Sequence, residues 1–505
     1  MLTRGARVHD YEIWGRLGEG GMSEVWLARH AVLSVPVVFK TLRKNIAEQA
    51  GPAGARRMFE EARLMARVTS PRVVRAIDAG TLDGTPYLVQ EYVDGVDLAE
   101  LDRERRAALG VGLPLWFVCY AMEETCRALH AAHQAGVIHR DVKPSNLFAA
   151  PETGIRLGDF GIAVARAESA PEVGGTLKFM APEQLRGEPA GRATDAYGAG
   201  ATAFDLRYAR APFAGVQQVL DPDCAPDFPP PASPAEAYFQ HVLRGMLAKR
   251  ADQRPADLCA PAAHFATVFA ALRPSGDDGG LVMLGRNRFR YRDCDVELVA
   301  GDIADQKADG IVSSARYEMT MRTGVGDALR RRGGDGIERE ATAGGERALG
   351  ECVATGPGTL PTKCVLHAVS AWNEASCVGR ATQRALAMAD GLGLRTLAFP
   401  ALGTGAARVS LETCANAMGT ALRWRLALGG SRLQRVTMVL ADDVKLAEFR
   451  DVVVEALRGA DAAVREVDLG LPVEGVVSPE GATFLDPSSG HGPAAIPRRE
   501  PPAGS

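Results

Sequence analysis

The chain of 505 residues has no pair of cysteines spaced as Cys-x-x-Cys and no uncharged apolar run of about 18 residues, the length a membrane helix needs. It also has no excess of either charge: 58 Lys and Arg stand against 62 Asp and Glu, for a net charge of -4. Each absence removes a class of function. Nine scattered cysteines favour reduced thiols over a disulfide framework or a zinc site. A balanced charge gives no electrostatic reason to expect nucleic acid or a membrane surface as the main partner. The opening stretch "MLTRGARVHDYEIW" lacks the apolar segment of a secretory signal. A cytoplasmic protein is therefore expected. No internal repeat is visible, and the two halves differ in pattern.

The length exceeds what one hydrophobic core usually serves and implies about two to four domains. A hydrophobic content of 46% and a charged content of 24% are ordinary for a globular chain. Up to about residue 92 the sequence alternates like strands, as in "YEIWGRLG", "SEVWLARH", "VPVVFK" and "YLVQEY". One helical segment, "ARRMFEEARLMARV", interrupts them. From residue 98 to about 272 the periodicity is mostly helical. "RPSGDDGG" reads as a linker. Beyond it, the strand candidates "VELV", "GIVSSA", "CVLHAV", "TLAFPAL" and "VTMVL" alternate with helical stretches such as "ATQRALAMADGL", which implies a layered α/β fold. The last stretch is rich in Pro, Gly and Ser and reads as a disordered tail.

Chemistry concentrates first in "HRDVKPSN", His139 to Asn146, where two basic residues, an Asp, a Lys and an Asn crowd eight positions. Upstream, "LGEGGMSEV", Leu17 to Val25, could be a plain turn or the start of a dinucleotide-binding unit. The alternating "SEVWLARH" that follows suggests a hairpin instead, and glycines there allow backbone to lie close over phosphates. "VVFK" puts Lys40 at the end of a strand. If Lys40 reaches phosphate oxygens it needs an anion to orient it. Glu61 is the candidate and Glu60 the alternative, with helical phase favouring Glu61 beside Ala62. "DFG" follows at Asp159 to Gly161 and "APE" at Ala181 to Glu183.

In order and spacing these pieces resemble the eukaryotic-like protein kinases, and most closely the bacterial Hanks-type serine/threonine kinases. The resemblance implies a bilobal α+β fold over residues 8–272. It implies that Asp141 accepts the proton of the substrate hydroxyl and that Lys143 stabilises the transferred phosphate. Asn146 and Asp159 would hold Mg2+ or Mn2+, and Lys40, paired with Glu61, the α- and β-phosphates of ATP. Leu17, Gly18, Gly20 and Val25 would cover the nucleotide, and Glu91 to Val93 would meet adenine through the backbone. Asp195 and Arg254 would brace the catalytic loop and the APE glutamate. Ser169 and Thr176 are the hydroxyls of the substrate-facing loop. Three departures stand out: Ser23 replaces the third loop glycine, "TSPRVV" lacks the usual His, and Gln90 occupies the gatekeeper position.

In the second half, Asp302 and Ile303 follow a strand, and two glycine-rich loops, "TGVGDALRRRGG" and "FPALGTGAARVS", lie at other strand ends. Such loops can converge on a diphosphate through backbone N–H groups. The combination is similar to the macro domain, a family that binds ADP-ribose and related metabolites. It implies an α/β three-layer domain with a mixed central sheet over residues 285–462, a linker at 273–284 and a tail at 463–505. Asp302 would take the adenine amino group and Ile303 the ring. Gly324, Val325 and Gly326 would form one phosphate loop, and Gly403, Thr404, Gly405 and Ala406 the other. Arg316 stands where the family often has an Asn facing the distal ribose. It would fill the pocket or select another nucleotide. Gly326 stands where hydrolytic members carry Asp, with Asp327 one place off. The expected function is a serine/threonine kinase acting on proteins, itself included, with a sensor or reader of free ADP-ribose or ADP-ribosylated proteins. The alternatives are a nucleotide-binding scaffold with weak or no kinase activity, a macro-type docking surface, and an ADP-ribosyl hydrolase regulated by the kinase.

Overall fold

The computed structural model describes residues 2–19, 23–42, 56, 58–60, 62–150, 153–160, 177–272, 280–372, 375–405 and 407–458. Gly20, Glu61, Gly161, Ser169, Thr176, Ala406, most of the expected linker and the expected tail lie outside the described residues.

The first 92 residues build an antiparallel sheet of six strands. These are β1 (Arg7–Val8), β2 (Tyr11–Glu19), β3 (Ser23–His30), β4 (Pro36–Leu42), β5 (Ala76–Leu82) and β6 (Thr85–Glu91), in the order β1-β2-β3-β4-β6-β5. "VPVVFK" shows why: β-branched and aromatic residues fit a pleated surface, and the period of two separates its faces. Val37 and Phe39 are fully buried against Ile13, Ala28 and Val89 on one face. Val38 and Lys40 point to the other.

A mostly helical lobe follows, with α1 (Leu98–Leu109), α2 (Leu115–Gln134), α3 (Arg192–Tyr208), α4 (Pro234–Met246) and α5 (Cys259–Leu272). The ends of α1 are written locally. The Asp97 carboxylate accepts from the Glu100 N–H at one end, and Gly110 takes the left-handed conformation at the other. Phe117, Val118, Met122 and Leu129 of α2 pack with Phe204, Phe239, Leu243 and Phe265 in a single core. Between the lobes lies a small sheet of β7 (Val96–Asp97), β8 (Leu147–Ala150) and β9 (Gly154–Leu157). It carries the segments that the sequence marks as catalytic.

The second half forms an eight-stranded mixed sheet. Its strands are β10 (Leu281–Gly285), β11 (Arg288–Tyr291), β12 (Cys294–Ala300), β13 (Gly310–Ala315), β14 (Cys352–Thr355) and β15 (Cys364–Val369). A short separate hairpin, β16 (Ala371–Trp372) and β17 (Ala375–Ser376), precedes β18 (Thr396–Pro400) and β19 (Arg435–Leu440). The order is β10-β11-β12-β19-β18-β13-β15-β14, parallel from β12 through β15 and antiparallel at both edges. Helices cover both faces: α6 (Gly324–Gly333) and α7 (Gly336–Thr342) on one, and α8 (Val378–Gly391), α9 (Leu411–Ala427) and α10 (Asp443–Arg458) on the other. Neighbouring residues of one strand serve opposite cores: Ile311 packs with Leu329 and Ile337, and Val312 with Ala385 and Met418. A parallel sheet buried on both faces explains the continuous apolar runs of these strands. β10 begins at Leu281, inside the stretch expected as linker to 284. Its apolar residues 282–284 stay exposed on an edge strand, so they lack the half-buried alternation that marks strands in sequence.

Candidate active site

The catalytic segment "HRDVKPSN" is held from behind by one carboxylate. Asp195, in the first turn of α3 and 1% exposed, accepts from the backbone N–H of His139 (2.9 Å) and of Arg140 (2.7 Å) and contacts His133 Nε2 (2.7 Å). The His139 ring meets the Gly158 carbonyl through Nε2 at 3.0 Å and packs on Phe160. Arg140 and Asp159 both take left-handed φ, 69° and 49°. Side-chain-bearing residues keep that conformation only where surrounding contacts impose it.

At the front of this frame the expected groups converge. Lys143 Nζ donates to Asp141 Oδ2 at 2.7 Å. Asn146 Nδ2 donates to the Asp141 carbonyl at 2.7 Å and to its Oδ2 at 3.2 Å. Lys40, from the opposite lobe, pairs with Asp159 Oδ1 at 3.0 Å. Desolvation in the cleft pushes the Asp159 carboxyl up, but the Lys40 ammonium beside it outweighs this and keeps it below the usual carboxylate range. The side chains of Asn146 and Asp159 offer hard oxygen donors suited to Mg2+. The amide nitrogen of Asn146 is committed to Asp141, so its carbonyl oxygen is the group left to face a cation. Glu61, the expected partner of Lys40, lies outside the described residues, as does Gly20.

The hinge and the bracing pairs have clear structural explanations. The Glu91 carboxylate is held by Arg156 at 2.8 Å, so this residue is fixed at the back of the hinge. Gln90 is buried and donates to Met65 Sδ at 3.2 Å, a partner that accounts for a polar gatekeeper. Arg254 grips Glu183 through both guanidinium ends at 2.7 and 2.9 Å, and Thr194 adds a third bond. Burial alone would raise the Glu183 carboxyl, but the guanidinium pairing lowers it.

The second half presents a cavity of about 470 Å³. Asp302, Ile303, Gly324, Val325 and Thr404 line it, with Lys445 at the rim of α10. Asp302 Oδ1 accepts from the Ala304 N–H at 2.9 Å, and Oδ2 lies 3.5 Å from Arg332. Gly326 does not line the cavity: a Cβ there would lie 3.2 Å from Met321 Cα, so this glycine serves close packing. Gly403 and Gly405 sit in the neighbouring loop without lining the cavity, and Gly403 N donates to Ser314 Oγ at 3.2 Å. Ala406 lies outside the described residues. Arg316 pairs with Glu318 at 3.4 Å and does not line the cavity. Asp327 is tied to Arg330 and Arg331, at 2.9 and 2.7 Å.

A family model described as "Protein kinase domain" matches residues 11–265, just over half of the chain. The chain belongs to the protein kinase family. A second model, "Macro domain", matches residues 312–418, so the kinase domain is followed by a macro domain. Curated relatives match the kinase part. A probable serine/threonine-protein kinase of Corynebacterium efficiens, CE0033, is 36% identical over 215 residues, 41% of this chain and 32% of that protein. Pkn1 of Myxococcus xanthus is 32% identical over 271 residues, 51% and 38% respectively. PknB of Mycobacterium tuberculosis is 35% identical over 252 residues, 48% and 37%. The chain thus spans about a third of the length of these relatives. Among solved structures, it is similar to the PknI kinase domain of Mycobacterium tuberculosis. That match has 27% identity and a TM-score of 0.43, over 53% of this chain and 100% of that one.

Sequence reasoning missed the contacts of two residues in the kinase domain: Tyr92, within the stretch expected to meet adenine, and Asp94, just past it. Both reach the macro domain. A hinge acid and a hinge tyrosine carry no local signal of such a partner.

Proposed function

We propose that the protein transfers the γ-phosphate of ATP to serine or threonine hydroxyls of proteins, itself included. The observation that carries this reading is the convergence of Asp141, Lys143 and Asn146 within hydrogen-bond distance, facing the Lys40–Asp159 pair. Phosphoryl transfer rests on positioning and charge neutralisation, and this set supplies both. Asp141 takes the hydroxyl proton, Lys143 and Lys40 meet phosphate oxygens, and Asn146 and Asp159 hold Mg2+, which neutralises phosphate charge when bound. The names of the relatives support serine or threonine as the acceptor.

The macro domain, on this reading, binds ADP-ribose or a related adenine nucleotide as a sensor or reader. The cavity at Asp302, Gly324 and Thr404 supports binding. Gly326 and the ion-paired Asp327 leave no free carboxylate at the position the hydrolytic members use, which favours reading over hydrolysis.

The test is mass spectrometry of the full chain incubated with Mg-ATP. Phosphate is expected on Ser or Thr. Asp141→Asn and Lys40→Met are each expected to lower incorporation by about two or more orders of magnitude. Equal incorporation by the wild type and Asp141→Asn would falsify the kinase reading.

A further inference from the structure

The two domains meet at the nucleotide cleft. Across β3 and β4, Val25 pairs with Lys40 and Leu27 with Val38. Strand side chains alternate, so Val25, Leu27, Val38 and Lys40 share one face of the sheet. The contact of Lys40 with Asp159 makes this the face that looks into the cleft. In an open cleft the apolar side chains here would meet water or a bound nucleotide. Instead, Trp14, Leu17 and Leu27, with Val25, Val38 and Tyr92 at the margin, join one apolar cluster with Met319, Ala341, Leu349, Val369 and Cys377 of the macro domain. Met319, Leu349, Val369 and Cys377 have no exposed surface, and Leu17 keeps 7%.

Directional contacts fix the arrangement. The Leu349 N–H donates to the Arg16 carbonyl at 3.1 Å, on the strand that leads into the glycine-rich turn. A Cβ on Gly15 would lie 2.8 Å from Leu349 Cδ1, so the strand has room for Leu349 only as glycine. The Tyr92 hydroxyl lies 3.3 Å from Cys377 Sγ. Asp94 accepts from the N–H groups of Gly379 and Arg380 at 3.0 and 3.1 Å. The kinase hinge thus caps α8 of the macro domain, whose own N-cap residue, Cys377, makes no side-chain cap bond. Further out, Arg384 donates to the Glu100 carboxylate through Nε and Nη2, and Arg105 donates to the carbonyls of Leu428 (2.9 Å) and Gly429 (2.7 Å).

We propose that the macro domain closes the ATP cleft of the kinase domain, with Met319 and Leu349 as a wedge against the apolar wall of the adenine site. ATP then binds only when the wedge withdraws. This rests on the kinase reading above. Two features make the contact one that can open. Met319 holds a left-handed φ of 60°, a strained conformation for a residue with a side chain, so the docked loop is maintained by its contacts. Beside the wedge, an open crevice of about 620 Å³ runs between the domains, lined by Glu100, Glu104, Cys352, Arg384 and Met388 and bridged by the Glu100–Arg384 pair. The apolar packing of the wedge therefore does not extend across the whole interface.

The test uses the full chain with a generic Ser/Thr peptide that carries no ADP-ribose, reading the KM for ATP and the binding of a fluorescent ATP analogue. If the competent state is a minor one, opening it raises apparent ATP affinity by the inverse of its population. Met319→Asp and Arg384→Glu are each expected to tighten analogue binding and raise kcat/KM for ATP by about tenfold or more. The second variant changes a charged rim residue, so it covers the case in which Met319→Asp fails to fold. Adding Glu100→Arg to Arg384→Glu restores the ion pair in reverse and is expected to return kcat/KM to near the wild-type value. Unchanged analogue binding and unchanged kcat/KM in a folded Arg384→Glu, with the wild type active, overturn the closure and leave the kinase reading intact. Tighter analogue binding without phosphate transfer in any variant supports the closure and overturns the kinase reading.

Discussion

Asp195 and His367 are both buried, and both hold a polar contact that the surrounding packing cannot replace. Asp195 acts through the backbone of its neighbours and belongs with the element it anchors. His367, on β15, is fully buried, with Nε2 2.9 Å from Thr355 Oγ1. Burial lowers its pKa to about 4 from an ordinary value of 6.5. The sign follows from linkage. A histidine whose folded pKa is depressed must charge at a cost to the fold. Its contribution is complete above about 6.5 and is lost as pH falls towards 4. Over that window the loss is on the order of 3 kcal/mol. Calorimetry of the full chain between pH 7 and 4.5 is expected to show the macro-domain transition falling in Tm. His367→Gln is expected to flatten that fall. An equal pH slope in the two proteins would count against this assignment.

Among the elements, the catalytic loop and α3 are one mechanical unit. Three donors and acceptors from residues 133, 139 and 140 end on the single carboxylate of Asp195. Asp195→Ala leaves two backbone N–H groups and a histidine nitrogen without that partner in a buried place. The expected cost is about 2–5 kcal/mol, read from urea unfolding of the kinase domain. Arg140, at its left-handed φ, then keeps the Gln184 bond to its carbonyl but loses the acceptor for its N–H. Phosphate transfer is expected to fall at least tenfold through kcat, with the KM for ATP changed little, because Asp195 touches no group that meets the nucleotide. A large rise in KM with kcat preserved would place the effect in the nucleotide site instead. Asp195→Asn, which keeps one acceptor oxygen, should recover part of both losses.

At the scale of the whole molecule, one strand joins the macro-domain cavity to the interface with the kinase domain. β13 ends at Ala315. Its Ser314 hydroxyl accepts from Gly403 N at 3.2 Å, beside the loop that carries Thr404 of the macro cavity. Five residues on, Met319 packs in the cluster with Trp14, Leu17 and Leu27 of the kinase domain. A ligand that grips the Gly403 loop therefore acts on the segment that feeds the wedge. Such a ligand shifts the docked equilibrium only by its difference in affinity for the two arrangements, typically about 1–3 kcal/mol, or roughly 5- to 150-fold. Saturating ADP-ribose is expected to change the rate at which the full chain phosphorylates a generic peptide. Asp302→Ala, which removes a carboxylate from the cavity wall, is expected to abolish that change. By reciprocity, an ATP analogue should alter ADP-ribose affinity by the same factor, measurable by calorimetry. A flat peptide rate with ADP-ribose binding confirmed in the same tube would leave recruitment of ADP-ribosylated substrates as the role of the macro domain.

The resemblance to the kinases put forward Lys40, Asp141, Lys143, Asn146 and Asp159, and the fold brings Asp141, Lys143 and Asn146 within hydrogen-bond distance and Lys40 beside Asp159. Asp302, Ile303, Gly324, Val325 and Thr404 were put forward by the resemblance to the macro domain, and all five line one cavity. The same resemblance misplaced Gly326, whose missing side chain makes room for Met321. β10 overlaps the end of the expected linker, where an exposed edge strand shows no alternation. Nothing local distinguishes Met319, Leu349 or Asp94 from ordinary loop residues. Their meaning comes from partners hundreds of positions away: Leu349 on the backbone of Arg16, and Asp94 on the first turn of α8. Motif order along the chain thus pointed to the two folds, which the family models bear out, and put forward residues for both sites. How the domains face one another was decided only in three dimensions, because apolar burial has no direction and leaves no periodic trace of which surface it will cover.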